Sequence, residues 1–211
     1  MCSAQNRTGP KCAVHKTEPV HNVQNVPQFL QNDEDIKITN AQKGTLIHLC
    51  MQKLDLSNKN YTYKDIKELV AKLEMQKIIT PKQAEAININ KVYQFTKSKI
   101  WEEMIYAHEV QREKSFYISI PAKEIYHEDL EEDVLVQGVI DLYYINSQNE
   151  LILVDFKTDY VENMNEQILV DKYKIQLELY KRALEEALKR KVDNIYIYST
   201  YLEREISILN R

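Results

Sequence analysis

The chain has 211 residues, a formal net charge of −4 and a pI near 5.8, with 44% hydrophobic and 28% charged residues. That suits one soluble globular domain with appendages; it excludes a grossly basic nucleic-acid binder but leaves room for a local basic groove. With only three glycines and five prolines, long helices are favoured over a turn-rich all-β design.

Cys2, Cys12 and Cys50 are too few and too unevenly spaced for a disulfide framework or a zinc site, so a reducing, cytoplasmic setting is expected. No apolar run approaches the roughly 20 residues needed to span a bilayer, and the N-terminus lacks the apolar core of a signal peptide.

Residues 1 to 38 mix Gln, Asn, Pro, Lys and His with little periodicity and read as a tail or irregular lead-in, although Val26, Phe29 and Leu30 have the chemistry to dock on a core. His15 and His21 have no partner spacing and read as solvated. The expected division is a tail over 1–25 and one domain over 26–211.

A helix is predicted from Thr39-Asn-Ala-Gln42, a capping box, through KGTLIHLCMQKLDL. Leu46, Ile47, Cys50, Met51 and Leu54 share one stripe, and His48 falls about 130° from its centre at helical spacing, where the segment alone makes it a surface residue. A second helix starts at Thr62 with Asp65 three residues on, using Ile66, Leu69, Val70 and Leu73. A third starts at Thr80-Pro-Lys-Gln83 and continues with Ala84, Ile87, Val92 and Phe95. A further helical segment from Ser98 to about His108 carries Trp101, Met104 and Ile105. Trp101 reads as a packing residue, not a base-stacking platform, because no interleaved basic pattern accompanies it.

Val110 to Pro121 alternates with period two and predicts a strand, with Glu113 as a strand-end charge ahead of Phe116, Ile118 and Ile120. The charged run His127 to Asp133 reads as a solvated loop. A hairpin follows: Val134 to Tyr144, with Gln137, Val139 and Asp141 on one face, then the turn Asn146-Ser-Gln-Asn149 and the strand LILVDFK. Asp155 and Lys157 are i and i+2 and so share a face, on which Asp141 can converge from the neighbouring strand.

Charges set into apolar strands are costly unless paired or metal-bound. Two readings stay open. Lys157 neutralises the carboxylates in a structural ion network, or the carboxylates hold a hard cation such as Mg²⁺ while Lys157 serves an attacking water or a developing phosphorane-like charge.

A long helix from about Glu166 to Arg190 presents Leu169, Tyr173, Leu177, Tyr180, Leu184 and Leu188 as its packing face, with Gln176 and Tyr180 on one row. Strands are predicted at 194–202 and 205–209, completing the sheet after a helical crossover.

In order, GTLIH, REKSF, GVID, DFKTD and QLELY resemble the nuclease domain of the RecB and AddA helicase–nucleases, within the PD-(D/E)xK superfamily. The resemblance spans roughly Pro27 to Leu209 and is nearest to the C-terminal part of the AddA type. It implies an α/β, restriction-endonuclease-like fold: a mixed central sheet flanked by helices, with a helical N-terminal subregion. It also implies a metal-dependent DNA nuclease acting on single strands at or near ends, as in processing of double-strand breaks. The alternative is a non-catalytic DNA-binding or assembly module derived from such a complex.

Carried over by position, the resemblance makes His48, Asp141, Asp155 and the backbone carbonyl of Phe156 the ligands of Mg²⁺ or Mn²⁺. Lys157 serves the attacking water, Glu113 orients water or a second ion, and Gln176 and Tyr180 support the site or contact the DNA backbone. Phe156 replaces the tyrosine common at its position, which leaves its carbonyl available. The implied partners are DNA, a helicase domain and an AddB-like subunit, with no membrane. No GxxxxGK[ST] phosphate loop occurs, so no ATP site or helicase activity is expected in this chain, and the cysteines do not match the family's iron–sulfur sets. The chain thus reads as an isolated nuclease domain, whether a cut-down form, a gene fragment or a free-standing homologue, with residues 1–25 non-native or disordered.

Overall fold

The computed structural model describes residues 37–123 and 132–208. The expectations for the N-terminal tail, for most of the charged run His127 to Asp133 and for Leu209 lie outside the described residues.

Five helices come first: α1 (Asn40–Gln52), α2 (Tyr63–Met75), α3 (Pro81–Ala86), α4 (Ile89–Phe95) and α5 (Lys99–Met104). Thr39, Thr62 and Thr80 each accept from the backbone N–H three residues on, while Gln42, Asp65 and Gln83 reciprocate, so all three expected caps form. The third predicted helix does not run through to Phe95. Ile87 is extended, and the Asn88 side chain accepts from the Lys91 N–H to start α4 afresh. An asparagine cap there satisfies an orphan donor that a continuous helix would not have left open.

The rest is a mixed five-stranded sheet, with β1 (Glu109–Pro121), β2 (Asp133–Ile145), β3 (Leu151–Lys157), β4 (Asn194–Ser199) and β5 (Arg204–Ser207) adjacent in that order. All neighbours are antiparallel except β3 and β4, which are parallel and joined through α6 (Gln167–Leu188). A parallel pair requires such a crossover.

The two faces of the sheet are covered by different helices. Ile152, Val154 and Phe156 pack with α1–α5, whereas Leu151 and Leu153 pack with Leu169, Leu177 and Leu184 of α6. By alternation Asp155 and Lys157 belong to the α6 side. Leu188, expected on the packing face of α6, is 38% exposed in its last turn.

β1 and β2 keep a constant register, yet both exchange their inward faces part-way. Phe116, Ile118 and Ile120 pack toward α6, while Val110 packs toward the α1–α5 layer and Arg112 bonds to the end of α1; likewise Val136 and Ile140 lie on one side, Leu142 and Tyr144 on the other. The exchange falls at Glu113 and Asp141. Glu113 has φ 52°, left-handed for a residue with a Cβ, and regular pairing resumes on either side of it.

Candidate active site

The site forms where β2 and β3 part. Their ladder runs only from Ile145↔Leu151 to Leu142↔Val154. One residue beyond it, the Asp141 Oδ2 accepts the Phe156 N–H at 2.8 Å and replaces the missing backbone partner. β3 continues beside β4 as far as Lys157↔Ser199, so its last residues have one paired edge and one edge open to a cleft.

That cleft has a volume of about 460 Å³, with His48, Glu113, Asp141, Phe156, Lys157 and Asp159 among its lining residues. His48 is delivered by α1, whose C-terminal end is tied to β1: Arg112 donates to the Gln52 and Leu54 carbonyls, both at 2.7 Å. These carbonyls lack helical partners, and the guanidinium supplies donors for them. The His48 Nδ1 lies 3.9 Å from Asp141 Oδ2, and its ring meets Phe156 edge-on at 5.7 Å.

Asp155 lies beneath the cleft and does not line its wall, being only 1% exposed. Lys157 Nζ is 2.6 Å from its Oδ2, an atom that otherwise has no hydrogen-bond donor among the described residues. Lys157 also donates to Gln176 Oε1 at 3.1 Å, and Gln176 Nε2 donates to the Tyr180 hydroxyl at 2.7 Å. Gln176 and Tyr180 therefore stand behind Lys157, as props for its ammonium, and do not line the cleft.

Two residues that sequence reasoning had left without a role join this network. Tyr173 places its ring 4.0 Å from Lys157 Nζ, and its hydroxyl donates to Asp159 Oδ2 at 2.8 Å. Asp159 is also ion-paired with Lys172. The signal was present in α6: Tyr173 precedes Gln176 by three positions, on the same helical row as the expected support residue.

Burial raises both central carboxyls. Asp155 is pushed up to about 6 by desolvation, against the pull of Lys157, and Asp141 adds to the rise. Desolvation likewise raises Asp141, opposed by the Phe156 N–H and Lys157. Glu113 is raised by partial desolvation and by Asp141. Burial lowers His48, with Asp155 opposing and Lys157 adding, so its imidazole is neutral near pH 7 and has a free lone pair.

The donor chemistry fits a hard divalent cation. Asp155 carries a buried oxygen short of donors, both carboxylates are under-compensated, and one neutral imidazole stands beside them. Among the described residues, no three His, Cys, Asp or Glu side chains are drawn onto a single point as they stand. The Asp155 oxygen is instead held by Lys157.

The family model of the PD-(D/E)XK nuclease superfamily matches residues 21–205. The chain belongs to the PD-(D/E)XK nuclease superfamily. The mixed, helix-flanked sheet is the restriction-endonuclease-like architecture that the resemblance implied. Similar proteins include the A subunit of the ATP-dependent helicase/nuclease from Thermoanaerobacter sp. (strain X514), 38% identical over 177 residues, covering 82% of this chain and 14% of that protein. Its counterpart from Clostridioides difficile (strain 630) is 37% identical over 184 residues, covering 82% and 14%. That from Clostridium novyi (strain NT) is 33% identical over 188 residues, covering 86% and 15%. The chain thus spans a small part of the length of these relatives. Among the described residues no helix is long and apolar enough to cross a membrane.

Proposed function

We propose that this chain is a divalent-cation-dependent nuclease domain that hydrolyses phosphodiester bonds of DNA, acting on single strands at or near ends. The observation that carries the reading is the gathering of His48, Glu113, Asp141 and Lys157 on one cleft above the buried Asp155, in a chain matched by a nuclease family model over most of its length. In the parent assembly a helicase segment and an AddB-like subunit would feed it DNA, a partnership suggested by the names of its relatives. A cytoplasmic setting accords with Cys50, which is buried and unpaired.

Asp141, Asp155, His48 and the Phe156 carbonyl would hold Mg²⁺ or Mn²⁺. The bound cation would supply positive charge against the scissile phosphate and lower the pKa of the attacking water. Lys157, fixed by Asp155, Gln176 and the Tyr173 ring, offsets negative charge on the phosphorane-like transition state. Glu113, its carboxyl raised toward neutrality, is suited to accept a proton from water.

The test is degradation of linear single-stranded DNA by the purified chain with Mg²⁺ or Mn²⁺, against Asp155→Ala and Lys157→Ala. Loss of cleavage in both variants is expected; unchanged activity in both overturns the mechanism. One observation favours a second reading, a DNA-binding module without turnover: Asp155 is closed off by its ion pair and, among the described residues, no three-donor cluster is assembled. Salt-sensitive DNA binding without cleavage in either cation would support that reading.

A further inference from the structure

A second cleft, of about 710 Å³, adjoins the catalytic one and shares Ala41, Gly44, Thr158 and Asp159 with it. Tyr160 and Tyr201 line it and meet edge to face, ring centroids 4.9 Å apart at 69°. Tyr160 is 70% exposed, too much for a packing role. Lys43 and Lys91 also line the cleft, and Lys91 Nζ lies 6.0 Å from the Tyr201 ring centre. The one carboxylate on the wall, Asp159, already faces Lys172 and the Tyr173 hydroxyl, so the unmatched charge of the cleft is positive.

Resting on the nuclease reading above, we propose that this second cleft is a single-stranded nucleic-acid subsite continuous with the catalytic cleft, in which an unpaired base stacks on the Tyr160–Tyr201 pair while flanking phosphates meet Lys43 and Lys91. Exposed aromatic faces beside cations are what sequence-tolerant binding of single strands requires, since every base has a stacking face and every linkage a charge. Trp101 does not supply the platform, because it is 2% exposed in the α1–α5 core. Tyr160 follows Lys157 by three residues, at most roughly 10 Å along the chain. A strand lying in both clefts would therefore place the stacked base within a few nucleotides of the scissile phosphate. The ridge between the clefts is low because a glycine forms it: a Cβ on Gly44 would meet Thr158 Oγ1 at 2.5 Å.

The experiment measures fluorescence anisotropy of a short fluorescein-labelled oligothymidylate with the full chain, in metal-free low-salt buffer so that nothing is cut. Tyr160→Ala, Tyr160→Phe and Lys91→Ala are compared with the wild type. Tyr160→Ala is expected to weaken binding roughly 10-fold, the scale of one lost stacking contact. Tyr160→Phe, which keeps the ring, should bind like the wild type. Lys91→Ala should weaken binding and lower the salt slope by about one. No binding by the wild type, binding by Tyr160→Ala equal to wild type, or equal losses in the alanine and phenylalanine variants would each overturn the subsite and leave the tyrosine pair to another contact, such as a protein surface. Adding Mg²⁺ or Mn²⁺ separates the two proposals: Tyr160-dependent binding with no cleavage in either cation supports the subsite and overturns the nuclease reading.

Discussion

Glu113 stands across the β1–β2 ladder from Asp141, at the one pair where both strands exchange their inward faces, and it does so with a left-handed backbone. A Cβ in that region costs on the order of 1 kcal/mol, a strain that structures keep at functional positions. Glu113→Gly should therefore be more stable than Glu113→Ala by about 1 kcal/mol, although glycine is ordinarily the worse residue in a strand. Both variants should lose DNA cleavage. Chemical denaturation of the pair checks this; alanine proving the more stable would show that the φ angle stores no strain.

Lys157 and Asp155 are both largely buried, so removing the cation leaves a carboxylate without its partner. Lys157→Met, with a side chain that still fits over the Tyr173 ring, should destabilise the fold by about 3 kcal/mol at pH 8. Adding Asp155→Asn should recover part of that loss, because the two changes act on one interaction. The deficit of the single variant should shrink at pH 5, where the carboxyl can take up a proton. A Lys157→Met variant as stable as the wild type at pH 8 would mean the pair carries no stability.

Cation binding should depend on pH through Asp155. Its carboxyl is raised from 3.8 to about 6 in the folded chain, so between those values the folded state holds a proton that the unfolded state has released. The contribution of this group to stability without metal therefore rises as pH falls through 6 toward 3.8, and diminishes as pH climbs through the same window. A cation needs the ionised form and competes with that proton. The rise in melting temperature on adding Mn²⁺ should be clear at pH 7.5 and much smaller at pH 5. An equal rise at both values would remove Asp155 from the ligand set.

Gly44 and Thr158 should be coupled. Alanine at position 44 gains helix propensity but puts a Cβ against Thr158 Oγ1, and the β-branched threonine has no free direction in which to turn. Gly44→Ala alone should cost about 2 kcal/mol, while in a Thr158→Ala background it should be neutral or stabilising. A double-mutant cycle read by thermal denaturation gives the coupling, and additive effects would show that the helix and the strand end do not press on each other.

What could be read in the sequence followed from how local each interaction is. The three threonine caps close within four residues, and Asp155 and Lys157 share a face because a strand alternates; all of these were legible. The restart at Asn88 was hidden because Ala84, Ile87, Val92 and Phe95 hold an apolar helical spacing across it. The half-buried setting of His48 depends on Arg112 tying α1 to β1, a contact between residues far apart in the chain. No residue type announces a left-handed glutamate, so the face exchange at Glu113 could not be anticipated from a period of two. Tyr173 carried an ordinary packing signature, and only the position of the Lys157 ammonium distinguishes it from one.

The His48–Asp141 contact joins α1 to the middle of β2, with four helices and a strand between them in the chain. Contacts of such long range form only after much of the chain has been ordered, since loop closure precedes any gain from them. The helical layer can gather early through its neighbouring caps, but the cleft exists only once α1, the hairpin and α6 have docked on one another. Assembly of the catalytic groups is thus a late event on the folding path, and a partly folded chain would carry every reactive side chain while lacking the means to cut.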